Sequence, residues 1–240
     1  MIIMRRELAS YFATPLAYVF ILIFLVLANF LTFFLGGLFE HGQADLGPFF
    51  YFHPWLYLFL IPAVSMRLWA EERKSGSIEL LMTQPVTLWD AVLGKFLAAW
   101  IFTGLALALT FPLWITVNYL GKPDNGTVLA AYIGSFMMAG GYLAIGSCMS
   151  ALTRNQVIAF IVGVVVCFLF VILGLLPGMA TSLPDWLQSV TGALASLSIY
   201  NHFTSISKGV VDIRDLLYFA MLIGFFLFAT SVALDVRKAD

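Results

Sequence analysis

Residues 16–38 read LAYVFILIFLVLANFLTFFLGGL, an apolar stretch without Asp, Glu, Lys or Arg. A helix needs about 20 apolar residues to cross the hydrocarbon core of a bilayer. The stretch does not alternate between polar and apolar residues, as strands of a membrane barrel do. It therefore predicts a membrane-spanning helix and sets the class of fold for the rest of the chain.

The composition of all 240 residues agrees with that class. Hydrophobic residues make up 62% and charged residues 10%, against about 45–50% and about 25% in soluble domains. Mean hydropathy is +0.98. The net charge of -1 argues against a nucleic-acid partner, and two cysteines are too few for a disulfide scaffold. The chain is expected to be an all-α integral membrane protein.

Further uncharged runs predict six transmembrane helices in a single domain covering 1–240. They are expected at about 16–38, 49–68, 96–119, 128–151, 157–176 and 215–234. Lys and Arg concentrate on cytoplasmic loops. Nine of them fall on the side that holds both termini and three on the other, which places both termini in the cytoplasm of a bacterial inner membrane.

Two segments are predicted to lie along the membrane surface. Residues 1–15 carry an apolar face opposite Arg5, Arg6 and Glu7, which is typical of an interfacial elbow helix before Pro15. The external stretch 177–214 is too polar to span the bilayer and is expected to form half-inserted helices between spans 5 and 6. It is interpreted as a structural cap or, alternatively, as a gate or docking surface; its candidate residues are Trp186, Leu187, Val190, Tyr200 and Phe203.

Loop 69–95 holds seven of the 25 charged residues. Span 2 is expected to continue as helix to Lys74, before Ser75-Gly76-Ser77 breaks it. Residues 78–82 then predict a short helical turn that ends at Pro85. Thr87 and Asp90 have the spacing of a capping box, which predicts the start of the next helix. A short helix held between two spans suits transmission of a push from a soluble partner.

The loop text EERKSGSIELL at 71–81, followed by QPVT at 84–87 and Gly94-Lys95, resembles the signature loop of permease subunits of type-2 ABC exporters. The opening residues 6–18, RELASYFATPLAY, resemble the gliding-motility-associated branch of those permeases. The resemblance implies a dimer of six-span subunits, homo- or heteromeric, in which each subunit binds a cytoplasmic ABC ATPase. In that family the loop forms a coupling helix that docks on the ATPase. The residues that match by position are Glu71, Glu72, Gly76, Ser77, Ile78, Glu79, Leu80 and Pro85.

Catalytic motifs are missing from the chain. It has no phosphate-binding Gly-Lys-Ser/Thr loop, so the chain is not expected to be an enzyme. ATP and Mg are expected on the partner subunit, with no cofactor on this chain. His41, His53 and His202 are interpreted as plain polar groups on the outer rim, with no metal site.

No charged residue is expected deep in a span, which argues against proton coupling and weakly favours an apolar or amphipathic substrate. Small residues at 134, 141 and 146 are expected to permit close helix packing, or alternatively to form a dimer seam.

Two functions remain open at this point. The leading one is an exporter permease that couples ATP hydrolysis to substrate movement. The alternative is a scaffold or force-transmitting anchor that couples the ATPase to a membrane-anchored extracytoplasmic protein without transporting a substrate. An intramembrane enzyme would need a buried catalytic constellation, and the predicted spans contain none.

Overall fold

The computed structural model describes residues 2–38, 45–76, 87–179 and 185–236. Of the residues described, 86% are helical and none is in a strand. The helices are α1 (Ile2–Ala13), α2 (Pro15–Phe30, continued by a π-helical turn at Leu31–Leu35), α3 (Gly47–Tyr51), α4 (His53–Ser65), α5 (Arg67–Ser75), α6 (Leu88–Ala108), α7 (Phe111–Leu120), α8 (Asn125–Leu152), α9 (Gln156–Ile172), α10 (Leu176–Met179), α11 (Asp185–Ala195), α12 (Ile199–Ser207) and α13 (Ile213–Val236).

Four helical segments within these ranges are long and apolar enough to cross a membrane. They are Ala17–Leu35, Leu88–Leu120, Asn125–Leu152 and Ile213–Val236, which correspond to predicted spans 1, 3, 4 and 6. Predicted span 5 corresponds to the shorter apolar helix α9. Predicted span 2 is divided among α3, α4 and α5 by breaks at Phe52 and Met66. The chain is thus a multipass membrane protein, and the six-span count stays a prediction.

Predicted span 3 differs from the structure at its start and in its middle. Helix α6 begins at Leu88 rather than 96, because Thr87 caps it: the Thr87 hydroxyl oxygen accepts a hydrogen bond from the Asp90 amide at 3.1 Å. The helix breaks after Ala108. Two residues later, the Thr110 hydroxyl donates a hydrogen bond to the Leu107 carbonyl at 2.6 Å. Pro112 explains the break, since proline has no amide hydrogen and crowds the preceding turn.

Helix α8 is the centre of the bundle and packs against α4, α5, α6, α9, α12 and α13. Its glycines allow this close approach. A Cβ on Gly146 would overlap Ser65 of α4, and one on Gly134 would lie 2.8 Å from Cγ2 of Ile206 on α12. The expected close packing is confirmed, and the neighbours at these positions belong to the same chain rather than to a dimer seam.

At the break between α4 and α5, the backbone forms hydrogen bonds with a side chain of α8. The Ser150 hydroxyl oxygen accepts hydrogen bonds from the backbone amides of Trp69 at 3.1 Å and Ala70 at 3.0 Å. The same hydroxyl donates to the Met66 carbonyl at 2.8 Å. Trp69 is fully buried and donates its indole N–H to Ser147 at 3.0 Å. These bonds attach the end of α4 and the start of α5 to α8.

Candidate functional site

The loop between α5 and α6 is anchored by defined structure at both ends. Helix α5 ends at Ser75, and Gly76 adopts a left-handed φ of +73°, which a glycine adopts without the steric cost of a side chain. Residues 77–86 lie outside the described residues, and with them Ser77, Ile78, Glu79, Leu80 and Pro85 of the predicted coupling set. The predicted break at Gly76 and the predicted helix start after Thr87 are both confirmed.

Lys95 brings three helices together beside this loop. Its side chain is only 4% exposed, and its Nζ lies 2.7 Å from Oε1 of Glu72 on α5 and 3.6 Å from Oε2 of Glu7 on α1. The amine also lies 5.2 Å from the centre of the Trp69 ring. A buried ammonium group is tolerated when it is paired in this way. Lys95, the last residue of the predicted loop 69–95, sits two turns inside α6.

Gly94 explains how α1 comes close enough to reach Lys95. A Cβ at Gly94 would lie 3.0 Å from the Cβ of Ile3, so a larger residue would push α1 away from α6. The pair Gly94-Lys95 thus combines a close helix crossing with a charge at that crossing. Gly94-Lys95 was noted in the sequence as part of a motif. The partner of Lys95, Glu7, is 88 residues away in the chain and could not be identified from the sequence.

Glu71 and Glu72 make different contacts, although both belong to the predicted ATPase-coupling set. Glu71 accepts a hydrogen bond from Arg67 Nε at 3.0 Å, and both side chains are substantially exposed. Glu72 turns inward to Lys95, and its second oxygen, Oε2, is buried without a partner among the described residues. We call Glu7, Arg67, Glu71, Glu72 and Lys95 the loop-side cluster.

A cavity of about 440 Å³ adjoins the loop-side cluster. All five cluster residues contribute to its wall, together with polar residues of α1 and apolar residues of α2 and α4. Burial, with a smaller contribution from the charge of Glu7, raises the pKa of Tyr11 in this wall. The Tyr11 hydroxyl is therefore neutral at physiological pH, and the cavity combines a charged end with an aromatic and aliphatic body.

The predicted external residues whose side chains are described, Val190, Tyr200 and Phe203, differ in exposure. Trp186 and Leu187 lie on α11, but their side chains are outside the described set. Val190 of α11 is exposed, Tyr200 of α12 is half-buried, and Phe203 of α12 is 2% exposed. Phe203 therefore belongs to the packed face of α12 against α8, whereas Val190 is free to meet lipid or another molecule.

His202 forms a contact that sequence reasoning missed. Its Nδ1 lies 2.6 Å from Oδ1 of Asp215 on α13, and its Nε2 lies 2.9 Å from the Ser196 carbonyl. Its ring stacks on Tyr218 with the ring centres 3.9 Å apart. Asp215 is 6% exposed. His202 thus joins α12 to the start of α13.

His53 differs from its prediction, because it is fully buried rather than on an outer rim. Its Nδ1 lies 2.9 Å from the Phe49 carbonyl, and its ring packs among those of Phe24, Phe49 and Tyr57. His41 lies outside the described residues. Within the part of the chain that the structure describes, no three His, Cys, Asp or Glu side chains gather as a metal site.

Comparison with known proteins gives one family and several relatives. Residues 43–234 match the family described as ABC-2 family transporter protein. The chain is 28% identical over 144 residues to the probable multidrug ABC transporter permease YbhR of Escherichia coli, which covers 59% of this chain and 37% of the relative. It is 39% identical over 70 residues to heme exporter protein B of Rhodobacter capsulatus, which covers 29% of this chain and 32% of that relative. The chain thus matches about a third of the length of these curated relatives.

Proposed function

The chain belongs to the ABC-2 family of transporter proteins, and on that premise we propose that it is the permease subunit of an ATP-driven exporter. Membership implies in general an ATPase partner and dimerisation. ATP and Mg bind the ATPase subunits, which are separate chains, and the permease pairs with a second copy or a related subunit. Both termini face the cytoplasm of the inner membrane, as the distribution of Lys and Arg supports. The gliding-motility-associated branch is proposed on the opening residues 6–18 alone.

The proposed coupling runs through loop 69–95. Residues 77–86 contact the ATPase, with Glu79 facing basic or donor groups on it. The observation that carries this proposal is the position of Lys95, which joins Glu72 on one flank of the loop to its own helix on the other flank and to Glu7 of α1. A push on the loop then moves α1, α5 and α6 as one body, because separating them would leave buried charges unpaired.

The experiment is a pull-down of the tagged full chain in mild detergent, with ATP hydrolysis measured on the eluate. We expect an ATP-binding chain at a ratio of about one to one with the permease, as the family's architecture implies. Glu79→Arg is expected to abolish its recovery, while Asp212→Arg, an equal charge change at the external end, is expected to preserve it. Retained ATPase with Glu79→Arg, at normal membrane insertion, would contradict the assignment of the loop.

One observation supports the alternative function as a force-transmitting anchor. The His202–Asp215 contact attaches the external helix α12 to the long helix α13, so motion of α13 would reach the external surface. In that case the same pull-down would also recover an extracytoplasmic protein. A reconstituted complex would then hydrolyse ATP without moving any offered lipid or amphipathic compound, and movement of such a compound would instead decide for the exporter.

A further inference from the structure

We propose that the cavity beside the loop-side cluster is a binding site for amphipathic organic cations, that is, molecules with one positive group on an apolar body. The inference deepens the proposed function by naming a substrate class, and it rests on that function only for the claim that the bound molecule is exported. Three properties of the cavity carry it: its size and position, its charge, and its aromatic wall.

The size and position suit a small amphipathic molecule that arrives from the membrane. The volume of about 440 Å³ falls within the range of about 300–1,000 Å³ that is usual for small-molecule sites. The wall includes Val19 and Ile23 of α2, which are 52% and 41% exposed on a helix long and apolar enough to span a bilayer. An apolar body can therefore pass along α2 into the cavity while its polar group approaches the cluster.

The charge of the wall favours a cation. Three carboxylates, those of Glu7, Glu71 and Glu72, face two cations, Arg67 and Lys95. Both cations are already paired, and Glu72 keeps one oxygen without a partner among the described residues. Arg6 also pairs with Glu7, but it lies outside the wall and is 53% exposed, so solvent screens much of its charge. A net attraction for one positive charge remains.

The aromatic wall strengthens the same preference. The rings of Tyr11 and Phe102 stack at 5.1 Å between centres, and Phe20 lies 5.6 Å from Phe102. All three rings line the cavity. Aromatic faces attract organic cations and repel anions through the ring quadrupole. The carboxylates and the rings therefore both attract a cationic amphiphile, whereas both repel an anion of the same shape.

The test compares two ions of nearly equal shape and opposite charge. Tetraphenylphosphonium and tetraphenylborate are titrated into the purified full chain in a non-ionic detergent by equilibrium dialysis, with protein-free micelles subtracted. We expect saturable binding of the cation, at one site per chain, and none of the anion. Glu72→Gln is expected to weaken cation binding about tenfold, because a nearby unit charge in a partly buried site contributes at least that much.

Two further variants separate the site from general effects. Ile23→Trp fills the cavity without touching the loop-side cluster and is expected to abolish saturable cation binding in a protein that elutes normally on size exclusion. Asp212→Asn removes a carboxylate at the opposite end and is expected to leave binding unchanged. Equal binding of both ions, or cation binding that survives Ile23→Trp, would overturn the proposal. The assay needs no ATPase, so its failure and that of the pull-down are distinguishable.

Discussion

At the scale of single residues, the molecule depends on charges that are paired away from water. Lys95 is nearly buried yet touches two carboxylates and an indole ring. The two carboxylates come from different helices, Glu7 from α1 and Glu72 from α5, so the ammonium group determines how those helices meet α6. Burial of such a group stabilises the fold only while its partners remain, and its removal leaves Glu72 without a counter-charge.

Lys95→Met is therefore expected to lower the free energy of unfolding by about 3 kcal/mol, the lower end of the range for a broken buried pair, because Glu72 keeps some exposure. The double variant Glu72→Gln/Lys95→Met is expected to recover part of the loss. Arg67→Met breaks the exposed pair with Glu71 and should cost less than about 0.5 kcal/mol. Denaturant unfolding in detergent measures all three, and equal losses for Lys95→Met and Arg67→Met would refute this account.

The His202–Asp215 contact makes a prediction about protons. A carbonyl oxygen only accepts hydrogen bonds, so Nε2 of His202 carries a proton toward Ser196. The 2.6 Å contact between Nδ1 and Asp215 then requires a second proton, on the ring or on the carboxyl. Asp215→Asn supplies an N–H donor to a neutral ring and is expected to keep the contact. Asp215→Ala is expected to lower thermal stability and speed proteolysis near residues 208–212; unchanged behaviour of Asp215→Ala would contradict the role of this pair.

Local signals were readable from the sequence, whereas distant pairings were not. Gly76 and the Thr87–Asp90 cap act within four residues of themselves, and both were predicted correctly. Lys95 was placed at the end of a loop because a charge was read as a helix boundary, and its partners at positions 7 and 72 carry no spacing signal. The partner of His202 could not be predicted for the same reason, since only the packing of α12 on α13 brings Asp215 to it.

At the scale of helices, breaks are as informative as lengths. Predicted span 3 divides near Thr110 because Pro112 follows. The proline is visible in the sequence, but the prediction did not use it because the run is apolar throughout. The break at Met66 between α4 and α5 is bonded to α8, since the Ser150 hydroxyl accepts from the amides of Trp69 and Ala70 and donates to the Met66 carbonyl. The break is thus supported from a neighbouring helix, and its geometry depends on one hydroxyl.

Ser150→Ala is expected to destabilise the chain by about 1–3 kcal/mol, because it removes the hydroxyl that bonds to Met66, Trp69 and Ala70 and leaves the buried first-turn amide of Trp69 without that acceptor. Ser205→Ala, on the external helix α12, provides a control that removes a hydroxyl without opening a helix break. Thermal unfolding followed by circular dichroism compares the two. A loss for Ser150→Ala no greater than that for the control would show that the break is not held by Ser150.

At the scale of the whole molecule, α8 connects segments that are far apart in sequence. Tyr57 and Trp69 of the first half bond to Ser135 and Ser147, 78 residues later in each case. Hydropathy predicted the spans on which these residues lie but not their order around α8, because apolar runs of similar composition carry no information about neighbours. The packing instead depends on small residues such as Gly146, where an added Cβ would overlap Ser65 of α4.

A chain divided between α7 and α8, at Lys122, tests this dependence. The fragment of residues 1–122 expressed alone is expected to be degraded, since Trp69 and the break at Met66 lack their partners on α8. Co-expression with residues 123–240 is expected to restore the first fragment, as tagged abundance in membranes would show. A first fragment that accumulates equally with and without its partner would mean that α8 does not organise the bundle.

Trp69 gives the loop-side cluster an optical reporter. Its indole is fully buried, donates to Ser147 and lies 5.2 Å from the Lys95 amine. Opening of the cluster would admit water to this ring and shift its emission to longer wavelength. A variant can keep Trp69 and replace the other five tryptophans. The emission wavelength of Trp69 would then report in real time whether the junction of α1, α5 and α6 opens when nucleotide is added to the assembled complex.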